Sequence, residues 1–194
     1  MNITQAKRFT LEEYHKLTEI GFFHEDERIE LIRGEIIEMA AKGTAPETSL
    51  RNLLRELPRL VGDRGTLQCQ APIILPNNSE PEPDFAILQN RDDNYLSAHP
   101  SPGDILLVME VADSTSNYAR EVKLSLYAEA GISDYWIFNV FDNQLEAHSE
   151  PFQNSQGNFG YQNRRIVLPN QVILLPCFPD LSLDLNRVFP PKQK

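Results

Sequence analysis

The apolar pattern of the chain predicts a mixed α/β (α+β) fold. Residues 105–111 form an almost continuous apolar run, which is typical of a central strand covered on both faces. A helical pattern from about 117 to 130 and a second apolar run over 134–140 follow it, so this region predicts a strand-helix-strand unit. Another amphipathic helix is predicted at 48–57, where leucines recur at helical spacing. Such alternation indicates helices packed on a sheet.

The N-terminal part of the chain predicts a helix followed by a hairpin. Thr10 and Glu13 have the spacing of a capping box, and the helix that follows is expected to end near Gly21. Two short apolar strands over 28–39 flank Gly34, which can supply the positive φ of a tight turn. We therefore expect a packing helix and a β-hairpin.

The other predicted elements are shorter. Pro58 is expected to end or kink the helix at 48–57. The stretch from Thr66 to Leu75 is expected to contain a strand, and after a proline-rich acidic segment another is expected to begin at Asp84. The C-terminal third contains runs that are expected to extend the sheet, near 144–148, 161–167 and 172–174.

Length and composition favour one unexported domain. The 194 residues suit a single compact unit, with a core over about 9–183 and a solvated tail at 190–194. No apolar run predicts a membrane span or a signal segment, so we expect a cytoplasmic protein. Cys69 and Cys177 are too few for a disulfide framework and lack the spacing of a zinc site. The net charge of -10 opposes non-specific binding to nucleic acid, so such a site must be local and metal-assisted.

Glu110 is the first residue that the fold alone does not explain. It lies within a strand otherwise made of apolar residues, where an ionised carboxylate is costly to bury without a partner. A hard divalent cation such as Mg²⁺ would compensate its charge. The alternative is that Glu110 marks an exposed strand end or caps a backbone group.

Lys123 is similarly out of place on its predicted helix. At about 100° per residue, it falls inside the apolar arc between Ala119 and Tyr127 rather than on the polar face. Because this helix follows the strand of Glu110, its inward face can bring the ammonium group back toward that carboxylate. The alternative is that the long side chain reaches solvent at the edge of the arc.

Two further carboxylates are candidates with weaker signals. Asp84 opens a strand ahead of the Glu110 strand, and two neighbouring strands could direct their carboxylates to one metal position. An aspartate after proline is also common in turns, where it bonds the backbone. Glu30 lies on the hairpin, and a cross-strand pair with an arginine is an alternative to a metal role.

Four stretches of the chain together resemble a known family. They begin as Arg28-Ile-Glu-Leu-Ile-Arg-Gly-Glu, Ser79-Glu-Pro-Glu-Pro-Asp, Glu110-Val-Ala-Asp-Ser-Thr and Lys123-Leu-Ser-Leu-Tyr-Ala-Glu-Ala. In order and spacing they resemble the Uma-type restriction endonuclease family over about 9–183, most specifically in the run through Tyr135 and Trp136. The resemblance implies the PD-(D/E)xK nuclease fold, a restriction-endonuclease-like central mixed β-sheet flanked by helices.

The resemblance also implies roles for four residues. Asp84 matches the motif aspartate, Glu110 the second acidic metal ligand and Val111 a main-chain carbonyl ligand. Lys123 matches the motif lysine. In this family that lysine has moved to the helix from the position that Ala112 holds here.

Other family positions are less complete in this chain. Glu30 matches an additional acidic position, and Gln70 lies where related nucleases can place an accessory polar residue. Family members commonly have a histidine where this chain has Pro46 and an aspartate where it has Ala119. These departures leave open an altered specificity, weaker metal binding or an inactive scaffold.

The expected function is that of an endonuclease that uses Mg²⁺ or Mn²⁺ to cut nucleic acid, with DNA as the expected substrate. Cleavage of both strands of a duplex favours a homodimer, because a two-fold enzyme matches the symmetry of the duplex. The alternative is a catalytically inactive module that keeps the nuclease fold for binding DNA or protein. A small-molecule hydrolase or transferase would use Glu110 and Lys123 as acid and base, but no phosphate loop or serine elbow supports it.

Overall fold

The computed structural model describes residues 6–24, 26–112 and 118–190, without the side chains of residues 119 and 120. These residues form three α-helices and ten strands joined by short 3₁₀ turns. In chain order the elements are α1 (Leu11–Glu19), β1 (Ile29–Ile32), β2 (Glu35–Glu38), α2 (Thr44–Val61), β3 (Thr66–Cys69), β4 (Phe85–Leu88), β5 (Ile105–Ala112), a π-helix (Ala119–Lys123), α3 (Leu124–Glu129), β6 (Asp134–Asn139), β7 (Gln144–Gln153), β8 (Phe159–Val167), β9 (Val172–Leu175) and β10 (Phe178–Asp184).

A six-stranded mixed sheet organises the fold. Its strands follow one another in chain order from β3 to β8. The pair β5 and β6 is parallel, with Glu110 beside Ile137, whereas the other neighbouring pairs are antiparallel. Parallel neighbours require a crossover, and the segment ending in α3 supplies it. The predicted central mixed sheet with flanking helices is therefore confirmed.

Each face of the sheet has its own apolar core. Alternate residues such as Phe85, Met109 and Trp136 pack with the apolar stripe of α2. Their neighbours, such as Ala86 and Val108, pack on the opposite face with residues of α3. The two-residue alternation of a strand explains this division, and it places the side chains of β5 on both cores. The apolar run at 105–111 is thus a central strand, as predicted.

The N-terminal helix and hairpin agree with their predictions. Thr10 and Glu13 form both hydrogen bonds of the capping box at the start of α1. Arg33 and Gly34 have φ values of 49° and 77° and connect β1 to β2 in a tight turn. An isolated bridge between Leu31 and Glu80 ties this hairpin to the segment that leads into β4. The hairpin is thereby fixed beside the sheet.

The predicted bounds of the 48–57 helix were wrong at both ends. The helix α2 begins at Thr44 and continues past Pro58 to Val61, where Gly62 with a φ of 54° follows. Pro46 lies in the first turn, where backbone amides have no helical acceptor, and is tolerated there. Pro58 lacks a backbone N–H and so removes one helical hydrogen bond, but it lies so near the end of α2 that the helix continues past it to Val61.

The strand predicted within 66–75 is confirmed as β3 (Thr66–Cys69), and it ends there because Gln70 has a φ of 45° and leaves the extended conformation. One prediction about strands needs correction. The last predicted strand, near 172–174, does not extend the main sheet. It pairs with β10, which was not predicted, in a separate two-stranded hairpin.

The crossover helix begins with a wider turn than expected. Residues 119–123 are π-helical and only 124–129 are α-helical, with Gly131 at a φ of 75° beyond the end. The predicted start near residue 117 and the tail at 191–194 lie outside the described residues. No helix in the described ranges has the length and apolar character needed to cross a membrane.

Candidate active site

Asp84 and Glu110 come together because their strands are neighbours. Phe85 on β4 pairs with Met109 on the antiparallel strand β5, so Asp84, just before Phe85, and Glu110, just after Met109, lie at the same end of the pair. The side chain of Asp84 is 1% exposed, and its Oδ2 accepts a hydrogen bond of 2.8 Å from the amide of Val111. The strand pairing therefore fixes one oxygen of Asp84 against the backbone of β5.

Lys123 links Glu110 to the hairpin. Its Nζ lies 2.8 Å from Oε1 of Glu110 and 2.9 Å from Oε1 of Glu30. The side chain of Lys123 is 3% exposed, so it does not reach solvent as the alternative interpretation required. The buried ammonium group instead compensates two buried carboxylates.

Tyr127 is a second donor to Glu110. Its hydroxyl group lies 2.9 Å from Oε1, the same oxygen that accepts from Lys123. Tyr127 lies one turn after Lys123 and is fully buried against Tyr135 at a centroid distance of 4.9 Å. Two donors from the crossover helix therefore fix the orientation of the Glu110 carboxylate.

Glu30 is held by the hairpin and by the segment that precedes β4. Its Oε1 also accepts from the amide of Glu82 at 3.1 Å, in addition to Lys123. Its Oε2 is buried and has no hydrogen-bond partner among the described residues. No arginine pairs with Glu30 in these contacts, so the position differs from a cross-strand surface pair. One buried carboxylate oxygen remains available to a ligand.

Lys42 places a second ammonium group at this site. Its Nζ contacts Oδ2 of Asp84 and lies 3.1 Å from the carbonyl oxygen of Val111. These two oxygens belong to residues that the family resemblance assigns as metal ligands. Lys42 lies between β2 and α2, and its side chain is 19% exposed. The ammonium group of Lys42 thus lies between Asp84 and the carbonyl of Val111.

Burial shifts the titration of the central groups. Removal from water raises the pKa of Glu110 above its usual range, while Lys123 opposes that rise and the charge of Asp84 adds to it. Burial alone would lower the pKa of Lys123, but the carboxylates of Glu110 and Glu30 outweigh it and raise that pKa. Burial also raises the pKa of Glu82 at the cavity wall. All three shifts favour the protonated form of the group.

These groups line an open cavity of about 490 Å³. Among its described lining residues, carboxylates outnumber cationic groups: Glu30, Glu38, Glu82, Asp84, Glu110 and Glu121 against Arg28, Lys42 and Lys123. Pro46, at the position where the family resemblance leads one to expect a histidine, also lines the cavity. The site combines solvent access with a predominantly acidic wall.

Not every candidate residue reaches this cavity. Gln70 directly follows β3, and its amide donates to the carbonyl of Asp84 at 3.2 Å. Its side chain is exposed, and Gln70 is not among the described residues that line the cavity. The side chain of Ala119 lies outside the described part of the chain.

The carboxylates do not gather into a ready-made metal cluster. Within the described ranges, no three His, Cys, Asp or Glu side chains are grouped as a metal site. Glu30 faces Lys123, and Asp84 faces Lys42. The oxygen donors that could hold a metal ion here are the carboxylates of Asp84 and Glu110, the carbonyl of Val111 and the unpartnered Oε2 of Glu30.

The sequence did not reveal Lys42 or Tyr127 as site residues. Lys42 lies in a short connection without periodicity, so only the tertiary structure brings it to Asp84. Tyr127 belongs to the apolar arc of its helix, which hides the use of its hydroxyl group. A polar atom on an otherwise apolar helix face was the available signal for Tyr127.

The chain matches the family model described as "Uma2: Putative restriction endonuclease" over residues 11–186. It belongs to the Uma2 family. The resemblance noted in the sequence is thereby confirmed. No curated protein matches this Uma2 chain.

A solved structure supports the fold of this Uma2 member. The crystal structure of a "putative nuclease belonging to DUF820" from Anabaena variabilis is similar to the chain, with a TM-score of 0.70 and 13% sequence identity. The similarity covers 93% of this chain and 97% of that protein. At this identity the match establishes the shared fold.

Proposed function

We propose that this Uma2 protein is a divalent-metal-dependent endonuclease that hydrolyses phosphodiester bonds of nucleic acid, with DNA as its substrate. One observation carries the proposal. Asp84 and Glu110 are buried carboxylates at the same end of neighbouring strands, and the buried ammonium group of Lys123 contacts Glu110 at the wall of an open cavity. Carboxylates beside a lysine suit metal-assisted phosphoryl chemistry.

The donor atoms suit a hard divalent cation such as Mg²⁺ or Mn²⁺. Asp84, Glu110 and the carbonyl of Val111 offer oxygen, the donor these ions prefer. The ammonium group of Lys42 between Asp84 and Val111 supports a cation position there. Glu30 contributes the remaining candidate ligand through its unpartnered Oε2. When bound, the ion would neutralise phosphate charge and lower the pKa of a water molecule.

The protein groups then position and stabilise the reacting phosphate. Lys123 supplies a fixed positive charge that stabilises negative charge developing in the transition state. Tyr127 and Glu30 hold the side chains of Glu110 and Lys123, so the site is arranged before substrate binds. Little reorganisation is then needed during the reaction.

The acidic wall supports a requirement for metal. A polyanion is repelled by a cavity in which carboxylates outnumber cationic groups, and the chain carries a net charge of -10. A divalent cation offsets part of this negative charge and offers a direct contact to a phosphate oxygen. Two copies of the chain would allow both strands of a duplex to be cut, so we propose a homodimer on DNA.

A non-catalytic binding module is the second candidate. Lys42 already occupies the position between Asp84 and Val111, and Pro46 replaces a common family histidine at the cavity wall. A protein in which Lys42 permanently replaced the metal would keep the fold without the metal chemistry. Its binding of DNA or protein would not depend on Mg²⁺.

The decisive experiment incubates the purified protein with supercoiled DNA, linear DNA and single-stranded RNA in Mg²⁺, Mn²⁺ or EDTA. The proposal expects cleavage of DNA with either ion and none in EDTA. Absence of cleavage on all substrates, together with no heat of metal binding by calorimetry, would contradict it and favour the binding module. Cleavage of RNA alone would support metal-dependent phosphodiester hydrolysis but would show that the substrate is RNA rather than DNA.

A further inference from the structure

Lys42 is bound differently from the other lysine of the site. Its Nζ contacts Oδ2 of Asp84 and the carbonyl oxygen of Val111, and its side chain is 19% exposed. Lys123 is 3% exposed and is held by two carboxylates from separate elements. Lys42 can therefore leave its position through the open cavity, whereas Lys123 is enclosed.

We propose that Lys42 and a divalent cation exclude each other at Asp84 and the Val111 carbonyl, so that Lys42 sets how tightly the chain binds a divalent ion. The inference rests on the proposed function for the existence of a metal position. It adds a residue that competes with the metal ion at that position. The flexible stem of a lysine allows its ammonium group to swing aside while its backbone stays in place.

The balance of charge favours this exchange. Three buried carboxylates, of Glu30, Asp84 and Glu110, face two ammonium groups at the centre of the site. One negative charge is therefore left over when all five groups are ionised. A divalent cation in place of Lys42, together with the ammonium group of Lys123, would balance the charge of the three carboxylates. The exchange is favourable because an uncompensated buried charge is costly.

The location of Lys42 permits its release. It lies outside the helices and strands and directly precedes Gly43, the N-cap of α2. Its ammonium group is held by Asp84 and by the carbonyl of Val111, so a competing ion that takes over these two oxygens removes what holds it.

The test measures the binding of Mn²⁺ alone by calorimetry, without any nucleic acid. Lys42→Met removes the charge while keeping a similar length, and it is expected to bind Mn²⁺ at least about tenfold more tightly than the wild type, as loss of one charge-assisted competitor implies. Lys42→Arg keeps a competing cation and should not show this gain. Lys16→Met, which removes the same charge from the exposed pair with Glu12, should match the wild type.

A second measurement uses the wild-type chain. Trace acetylation followed by mass spectrometry reports how accessible each lysine is. Saturating Mn²⁺ is expected to increase the labelling of Lys42 and to leave that of Lys16 unchanged, because only Lys42 is displaced. This experiment does not depend on the folding of any variant.

Either of two results would overturn the inference. One is that Lys42→Met binds Mn²⁺ no more tightly than the wild type, including the case in which neither binds. The other is that labelling of Lys42 does not change with Mn²⁺. These outcomes can be told apart from a failure of the proposed function. If Lys42→Met binds Mn²⁺ more tightly but the protein cleaves no nucleic acid, only the proposed function is contradicted. If the wild type cleaves nucleic acid with Mn²⁺ but binds the ion as tightly as Lys42→Met does, only the inference is contradicted.

Discussion

Nζ of Lys123 lies 2.8 Å from Oε1 of Glu110, and the two side chains are only 3% and 7% exposed. The contact joins the central strand β5 to the helical segment that crosses back over it. It therefore couples the stability of the crossover to the arrangement of the proposed active site. Removal of either partner leaves a buried charge, which links mutations here to folding as well as to chemistry.

Lys123→Met is expected to lower the free energy of unfolding by about 3–5 kcal/mol, the cost of leaving buried charges without their partner. Glu30 and Glu110 would both lose the ammonium group that they share. Urea unfolding followed by circular dichroism measures the change. Lys16→Met is the control, because its pair with Glu12 is exposed and screened by solvent, so its loss should change the stability little. Equal stability of the two variants would contradict the role assigned to Lys123.

Tyr127→Phe is expected to lower the free energy of unfolding by about 1–3 kcal/mol, because its hydroxyl group bonds a carboxylate in the core. It should also slow cleavage, since Glu110 loses one of its two donors from the crossover helix. Tyr161→Phe is a matched control that removes a bond to the carbonyl of Ile132. That variant should lose stability while cleavage by the folded fraction is unaffected. The same cleavage rate in both variants would argue against a positioning role for Tyr127.

Gly34→Ala is expected to destabilise the chain by more than about 1 kcal/mol. Gly34 has a φ of 77°, and an added Cβ would lie 2.9 Å from the carbonyl oxygen of Phe9. The turn positions the hairpin that carries Glu30, so metal binding should weaken as well. Gly103→Ala is the control, because nothing lies within 4 Å of its added Cβ. The midpoint of thermal unfolding is measured for both variants. Equal midpoints would show that an added Cβ at residue 34 causes no strain in the turn.

Cys69 and Cys177 are expected to react slowly with a disulfide reagent at pH 8. Burial raises the pKa of both thiols, so at a given pH less of the reactive thiolate is present than in free cysteine. Both cysteines are free, and two equivalents should therefore react once guanidinium unfolds the chain. A native reaction as fast as the unfolded one would contradict the shielding of these thiols.

Much of the fold could be predicted because local chemistry determines its main elements. The capping box at Thr10 and the apolar run at 105–111 each depend on neighbouring residues, and both were found where they were predicted. The bounds of α2 could not be obtained in this way, because the helix contains Pro46 and Pro58 near its ends. Backbone groups near a helix end lack helical partners, so a proline there costs few hydrogen bonds and does not mark the boundary. The pairing of β9 with β10 in a separate hairpin could not be predicted either, because an apolar strand pattern does not say which sheet the strand joins.

The site was predictable where a polar residue conflicted with an apolar pattern. Glu110 interrupts an apolar strand and Lys123 an apolar helix face, and the structure brings the two together. Lys42 interrupts no pattern, so its contact with Asp84 follows only from the path of the chain between β2 and α2. The side chain of Gln70 lies elsewhere because a positive φ ends its strand.

The most direct test of the proposed endonuclease is the rate at which Mn²⁺-loaded protein nicks supercoiled DNA, compared between the wild type, Asp84→Asn and Glu110→Gln. Asp180→Asn removes an equal charge from an exposed pair with Arg64 and serves as the control. We predict that the two site variants lose at least about 100-fold in rate, as loss of a metal-binding group implies, while the control keeps the wild-type rate. Site variants that cut as fast as Asp180→Asn would contradict the assignment of this cavity as the catalytic centre.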